Sequence, residues 1–231
     1  VDTKVRMRVG KQDTPKILGY DAAGTVVAVG SEVSLFRPGD TVFYAGSNQR
    51  QGTNARFHLV DERLVGHAPG SVDATHAAAL PLVCLTAWEA LFDRLPVTQS
   101  TTGTLLVLGG AGGVPSALIQ LARALTNLRV VATASRPEST RWVREMGAHD
   151  VINHHHDLRE QISGVDFVFS SWTTGREEEL AAVMSPQSHL VLIDDPLNPN
   201  LGAFKQKSIA VDWEFMFSRA MFEANRTRPT I

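Results

Sequence analysis

The chain has 231 residues, 43% of them hydrophobic and 20% charged, so it can bury a core of ordinary globular character. Its 22 Lys and Arg against 24 Asp and Glu give no basic field, which argues against a nucleic-acid partner. The single cysteine, Cys84, excludes a disulfide framework and any multi-cysteine metal site. No stretch has the roughly 18 consecutive apolar residues of a membrane span, and the first residues lack a signal-peptide core, so a cytoplasmic setting is expected. The sequence begins on Val1 and closes on Thr230-Ile231 without completing an element, as a fragment of a longer protein does.

Up to about residue 65, short apolar runs alternate with Gly and Pro. Gly24 to Gly30 reads as a strand, Arg37-Pro38-Gly39-Asp40 as a turn, Thr41 to Tyr44 and Phe57 to Val60 as further strands. Strands this short, with turn signals every ten residues or so, predict a small β-barrel or sandwich. Ala77 to Leu95 reads as helical, interrupted by Pro81. From Thr104 the rhythm becomes strand, helix, strand, helix. Leu105 to Leu108 is a continuous apolar strand, Ser116 to Leu125 has apolar residues at helical spacing, and Val130 to Ala134 is the next strand. Pro137 opens a helix that Gly147 ends. Residues 150–152, 165–169 and 189–193 supply further apolar strands. The fold class is therefore α/β, with a β-rich first part and a parallel sheet covered on both faces.

The turn after the first apolar strand reads Gly109-Gly110-Ala111-Gly112-Gly113-Val114-Pro115. A dinucleotide site needs glycine there for the tight turn and for close backbone approach to a pyrophosphate, with a helix N-terminus behind it. Gly110 and Gly112 fit the first two positions of G-x-G-x-x-G, and Ala111, Gly113 and Val114 complete the cradle. Pro115 stands where the third glycine belongs, which is expected to push the helix outward without breaking it. At the end of the next strand an NAD site usually places an acid for the ribose 2′-hydroxyl. Ser135-Arg136 stand there instead, a donor and a cation suited to a 2′-phosphate, so NADPH is the expected cofactor.

These residues, with Ile17 to Gly24, Leu35 to Asp40, Ala78 to Pro81 through Thr86-Ala87-Trp88, and Asp212 to Phe217, resemble the medium-chain dehydrogenase/reductase superfamily. The likeness is to its zinc-free quinone-oxidoreductase branch and to the bacterial group labelled zinc-type alcohol dehydrogenase-like. The resemblance implies a GroES-like catalytic domain over 1–81, N-terminally truncated, and a Rossmann NADPH-binding domain over 82–231 that ends at the start of the return to the catalytic domain. It also implies a homodimer paired through the last Rossmann strand, and Thr86 close to the nicotinamide.

In zinc-dependent relatives a Gly-His-Glu block supplies a histidine ligand; here it reads Gly19-Tyr20-Asp21, and the position of a family cysteine ligand is Leu82. No zinc site of either kind can be assembled, so no metal is expected. His154-His155-His156 reads as a polar loop, because consecutive extended side chains do not converge on one ion. Without a Lewis acid the favoured substrate is an activated acceptor, a quinone or an enone (an α,β-unsaturated carbonyl compound). Tyr20 and Tyr44 are the candidate catalytic residues, as phenols able to donate to the substrate oxygen. Asp2 and Asn48 are weaker candidates for the cleft; Trp213, Phe215, Met216 and Phe217 are candidates for an apolar pocket, although a cluster of this kind is more often core. A short-chain dehydrogenase needs Tyr-x-x-x-Lys, and positions 24 and 48 are Gly and Asn. The non-enzyme alternative is an NADPH-binding sensor or scaffold.

Overall fold

The computed structural model describes residues 2–8 and 14–222. It divides into two compact units, one of residues up to Val83 with those from Met216, the other Cys84–Phe215.

In the first unit a short helix α1 (Asp2–Arg8) precedes an antiparallel sheet of β1 (Ala22–Thr25), β2 (Thr41–Tyr44) and β3 (Val65–His67), in the order β1-β2-β3. Ala22 faces Tyr44 and Thr25 faces Thr41. The turn at 37–40 forms as expected: the Asp40 carboxylate accepts from the Arg37 N–H at 2.9 Å, and Gly39 takes φ 99°. Two expectations need correction. The strand expected over 24–30 stops at Thr25, because the Val26 backbone pairs instead with the turn, donating to Asp40 O and accepting from Gly39 N, each at 2.9 Å. The strand expected at 57–60 is absent; its Phe57 and Leu59 are 66% and 80% exposed, and β2 pairs with 65–67 instead. Alternating apolar residues make a strand only where a sheet edge is there to satisfy the backbone.

The helical stretch after it is split. Asp73 caps α2 (Ala74–Ala78) by accepting from His76 N at 2.9 Å, and α3 (Pro81–Glu89) restarts on Pro81, whose missing N–H costs nothing at a first position. The last turn, Ala90–Arg94, widens to a π-helix.

The second unit carries six parallel strands in the order β6-β5-β4-β7-β8-β9: β4 (Thr104–Val107), β5 (Arg129–Thr133), β6 (Asp150–Ile152), β7 (Val165–Ser170), β8 (Met184–Leu192) and β9 (Ala210–Trp213). Between them run α4 (Gly113–Leu125), α5 (Pro137–Glu145) and α6 (Glu177–Val183); α7 (Ser218–Phe222) lies in the first unit. The central strands are largely apolar because both faces are covered. One cluster buries Leu105, Val107, Leu118, Ile119 and Val143; the other buries Leu106, Leu108, Val168, Leu180 and Leu190. Gly147, at φ 106°, ends α5 as expected. Pro115 is buried as the third residue of α4, where no intrahelical N–H bond is lost. It does not hold the helix off the sheet, since Leu118, Ile119 and Ala122 are 0% exposed.

Arg94 and Glu214 join the two ends of this unit. Arg94 Nε donates to Glu214 Oε2 at 2.8 Å, with the Glu214 side chain 0% and Arg94 25% exposed. Arg94→Met should cost about 3 kcal/mol or more, because it strands a buried carboxylate. Glu214→Leu should cost much less, because Arg94 keeps water on its exposed side. Urea unfolding of the two variants measures the difference.

Candidate functional site

The strand order reverses between β4 and β7: the chain leaves β4 toward β5 on one side, and leaves β7 toward β8 on the other. Ligands of open parallel sheets bind at such a point, beyond the carboxyl ends of the strands. The glycine turn lies there. Gly109 takes φ 69°, and a Cβ on it would stand 2.7 Å from Ser171 Oγ. Gly110 is buried, and a Cβ there would meet Ala132 Cβ at 3.0 Å and Val143 Cγ2 at 3.1 Å. Ala111, Gly112 and Gly113 are exposed, so the backbone at the start of α4 is open to a ligand. Such an arrangement of exposed backbone at a helix N-terminus is suited to an anion. Gly109, which the sequence reading left out of the site, is the residue whose left-handed backbone makes the turn.

Side chains beneath the turn hold it. Gly109 N donates to Thr133 Oγ1 at 2.9 Å and Gly110 N to Thr133 O at 2.9 Å. Ser171 Oγ donates to Leu108 O at 3.1 Å. Ser116 Oγ, in the first turns of α4, receives the Trp142 indole N–H at 2.8 Å, which ties α4 to α5.

Where β5 ends, Ser135 and Arg136 border an open cavity of about 850 Å³, lined also by Ala134, Thr140, Arg141, Arg144, Glu145 and Asn153. Arg136 is exposed and caps α5; its carbonyl accepts from Ser139 Oγ at 2.9 Å. Arg136, Arg141 and Arg144 form no ion pair among the described residues. Glu138 sits on the first turn of α5 and does not line the cavity. The structure thus brings Gly110–Val114 and Ser135–Arg136 to the carboxyl edge of neighbouring strands. Thr86 is buried within α3.

The tyrosines belong to the other unit. Tyr20 is 2% exposed in a cluster with Ala45, Leu82 and Phe217, its ring edge-on to Phe217 at 5.5 Å. Burial, and then the Asp2 carboxylate, push its phenol above the ordinary value. Phe217, a pocket candidate for which core is the commoner reading, is core. Tyr20 and Leu82, at the positions of family metal ligands, are packed together with apolar side chains, an environment that does not fit zinc. Tyr44 is 9% exposed, its ring stacked on His58, and its hydroxyl lies 3.0 Å from His58 Nδ1. His58 Nε2 is 2.9 Å from Gln51 O, which only accepts, so Nε2 carries the proton and Tyr44 donates to Nδ1. Burial raises this phenol too.

Asp21 escaped the sequence reading. Its Oδ1 accepts from Leu82 N at 2.7 Å, at the start of α3, and burial pushes its pKa up to about 6 against the opposing pull of that hydrogen bond. An acid next to Tyr20 in the lost metal block was the available signal.

The first 81 residues match the alcohol dehydrogenase GroES-like domain. A zinc-type alcohol dehydrogenase-like protein of Staphylococcus aureus (strain COL) is 41% identical over 228 residues, 95% of this chain and 68% of that protein. Among solved structures, a provisionally named zinc-dependent alcohol dehydrogenase of Rhizobium etli CFN 42 superposes with TM-score 0.90 at 49% identity, over 96% of this chain and 68% of that one. The Escherichia coli quinone oxidoreductase complexed with NADPH gives TM-score 0.80 at 26% identity, over 93% and 68%.

Two outcomes follow from the geometry. Gly109→Ala should cost about 1–3 kcal/mol through strain at positive φ, read as a lower melting temperature. Because the folded Asp21 pKa of about 6 lies above the unfolded value near 4, the stability it contributes is present below pH 4 and is lost as pH rises through 6. Asp21→Asn keeps an acceptor for Leu82 N without the charge. It should melt higher than the parent above pH 6 and match it below pH 4.

Proposed function

The chain belongs to the medium-chain dehydrogenase/reductase superfamily, as a zinc-type alcohol dehydrogenase-like oxidoreductase, and we propose that it reduces a quinone or an α,β-unsaturated carbonyl compound with NADPH and without a metal. The observation that carries this reading is the cavity at the end of β5, where Ser135 and Arg136 stand without a carboxylate at the strand end. A 2′-phosphate there gains charge-assisted hydrogen bonds, whereas the acid that an NAD site uses would repel it.

When bound, NADPH supplies the hydride; the protein's part is binding, orientation and the handling of a proton. The open backbone of 111–113 and the N-terminus of α4 take the pyrophosphate, and Gly110, where a Cβ would crowd Ala132 and Val143, lets the turn lie close against β5 and α5. Tyr20 and Tyr44 are the proposed donors to the substrate oxygen. Both phenols stay protonated at neutral pH, since burial raises them. The bond from Tyr44 to His58 gives that phenol a partner through which its proton can be exchanged. The packing of Tyr20 and Leu82 in place of ligands supports the metal-free part of the reading, and the place of β9 at the edge of the six-stranded sheet supports a dimer paired there.

NADPH oxidation with 9,10-phenanthrenequinone and simple enones tests the proposal. Arg136→Ala should raise KM for NADPH by roughly 10- to 100-fold, the worth of a hydrogen bond to a charged group, and leave KM for NADH unchanged. Equal loss with both cofactors would reject the assignment of Arg136. Tight NADPH binding with no oxidation by any acceptor would favour a sensor or scaffold.

A further inference from the structure

We propose that His154 is a positioning residue for the glycine turn, which it holds through the Thr133 hydroxyl as long as its ring is neutral; the consequence for cofactor binding rests on the nucleotide reading above. Strands β5 and β6 are in register at Thr133 and Ile152, and Ala134 N donates to Ile152 O at 2.9 Å. His154, two residues beyond Ile152, therefore comes to lie beside Thr133, which is buried. Thr133 Oγ1 accepts the Gly109 N–H at 2.9 Å, and its own proton still needs an acceptor. His154 Nδ1, 3.2 Å from that oxygen, supplies it. The donor count then fixes the ring: Nδ1 accepts and Nε2 carries the proton. With its proton aimed at His154, the hydroxyl keeps a lone pair on the Gly109 N–H.

The surroundings hold this arrangement. The His154 carbonyl accepts from Arg176 Nη2, and Arg176 is itself paired with Glu179 at 3.1 Å. The His154 ring stands edge-on to Trp172, their centroids 6.5 Å apart. The charged and titratable groups facing the ring are His155, from its own loop, and Arg176, from the segment between β7 and α6. Thr133 on β5 and Trp172 after β7 bring no charge. Burial lowers the His154 pKa, and repulsion from His155 and Arg176 lowers it further, so the ring is neutral at and above neutral pH.

A proton on Nδ1 reverses the bond to Thr133. His154 and Gly109 then both offer donors to one oxygen, and the Thr133 proton has lost its acceptor at a site closed to water. Gly109, at φ 69°, loses the bond that fixes it, and the backbone after it slackens. A slack turn has to be ordered again when a pyrophosphate settles on it, which weakens binding. Because the folded-state pKa of His154 lies below the unfolded value, the support it lends is complete above the unfolded value and is lost as pH falls through the folded one.

Nuclear magnetic resonance on the isotope-labelled, ligand-free protein tests the positioning directly. The Gly109 amide resonance should titrate together with the His154 ring, and its protection from hydrogen exchange should fall by about tenfold as the ring gains its proton. His154→Asn keeps an acceptor at the place of Nδ1 and cannot titrate, so its Gly109 resonance should hold steady with pH. His154→Leu should lose about tenfold in protection at every pH. Calorimetry with ADP-ribose reads the consequence, since its pyrophosphate is a diester and keeps its charge across the titration. The parent should bind ADP-ribose several-fold more weakly once His154 is protonated, and His154→Asn should bind it alike at both ends of the range. A Gly109 resonance indifferent to the His154 titration, or a His154→Asn protein that keeps the parent's pH dependence, overturns the proposal. If the resonance follows the ring but the parent binds neither ADP-ribose nor NADPH, the positioning of the turn stands and the cofactor reading fails.

Discussion

The chain must turn sharply at the end of β4 and still leave backbone N–H groups facing outward, and the carboxyl edge of the parallel sheet is arranged around that demand. Gly109 meets it with a left-handed conformation and Gly110 with the absence of a side chain against Ala132 and Val143. Thr133, which is buried, answers from the neighbouring strand by accepting the Gly109 N–H, so its hydroxyl oxygen and that N–H satisfy each other. Helix α4 then starts where its free N–H groups meet solvent, and its inner face is fully buried. Proline at its third position leaves the packing intact, because the first turn has no use for that N–H.

Charge is distributed with the same economy. The arginines at the cavity beyond β5 are exposed and retain hydration, so holding them there costs little, and a bound phosphate would gather them. The phenols and Asp21 in the other unit lie in apolar surroundings that oppose ionisation. The cavity beyond β5 is suited to an anion, whereas the surroundings of Tyr20, Tyr44 and Asp21 resist charge.

Much of this was legible in the sequence, and the reason is local. Gly109 to Gly113, Ser135-Arg136, Pro137 and Gly147 act within a few residues of themselves, so their meaning survives without the fold. The apolar strands of the parallel sheet were readable because both faces of each are buried. What escaped depends on partners far along the chain. Phe57 to Val60 alternates like a strand but pairs with no strand among the described residues. Val26 is drawn to the turn at 39–40. Asp21 meets Leu82, 61 residues away, and His58 fixes the proton of Tyr44 across the loop between β2 and β3. Thr133, His154 and Trp172 come from the ends of β5, β6 and β7, and only the parallel register sets them side by side.

The pair formed by Arg94 and Glu214 joins residues 120 apart, close to the two places where the chain enters and leaves the second unit. That unit is therefore an insertion whose two ends are fastened together from within. Domains with adjoining ends are the ones that tolerate transplantation and circular permutation. Residues 84–215 have the topology of a cassette that can be lifted from one host and set into another, with Arg94 and Glu214 as its clasp.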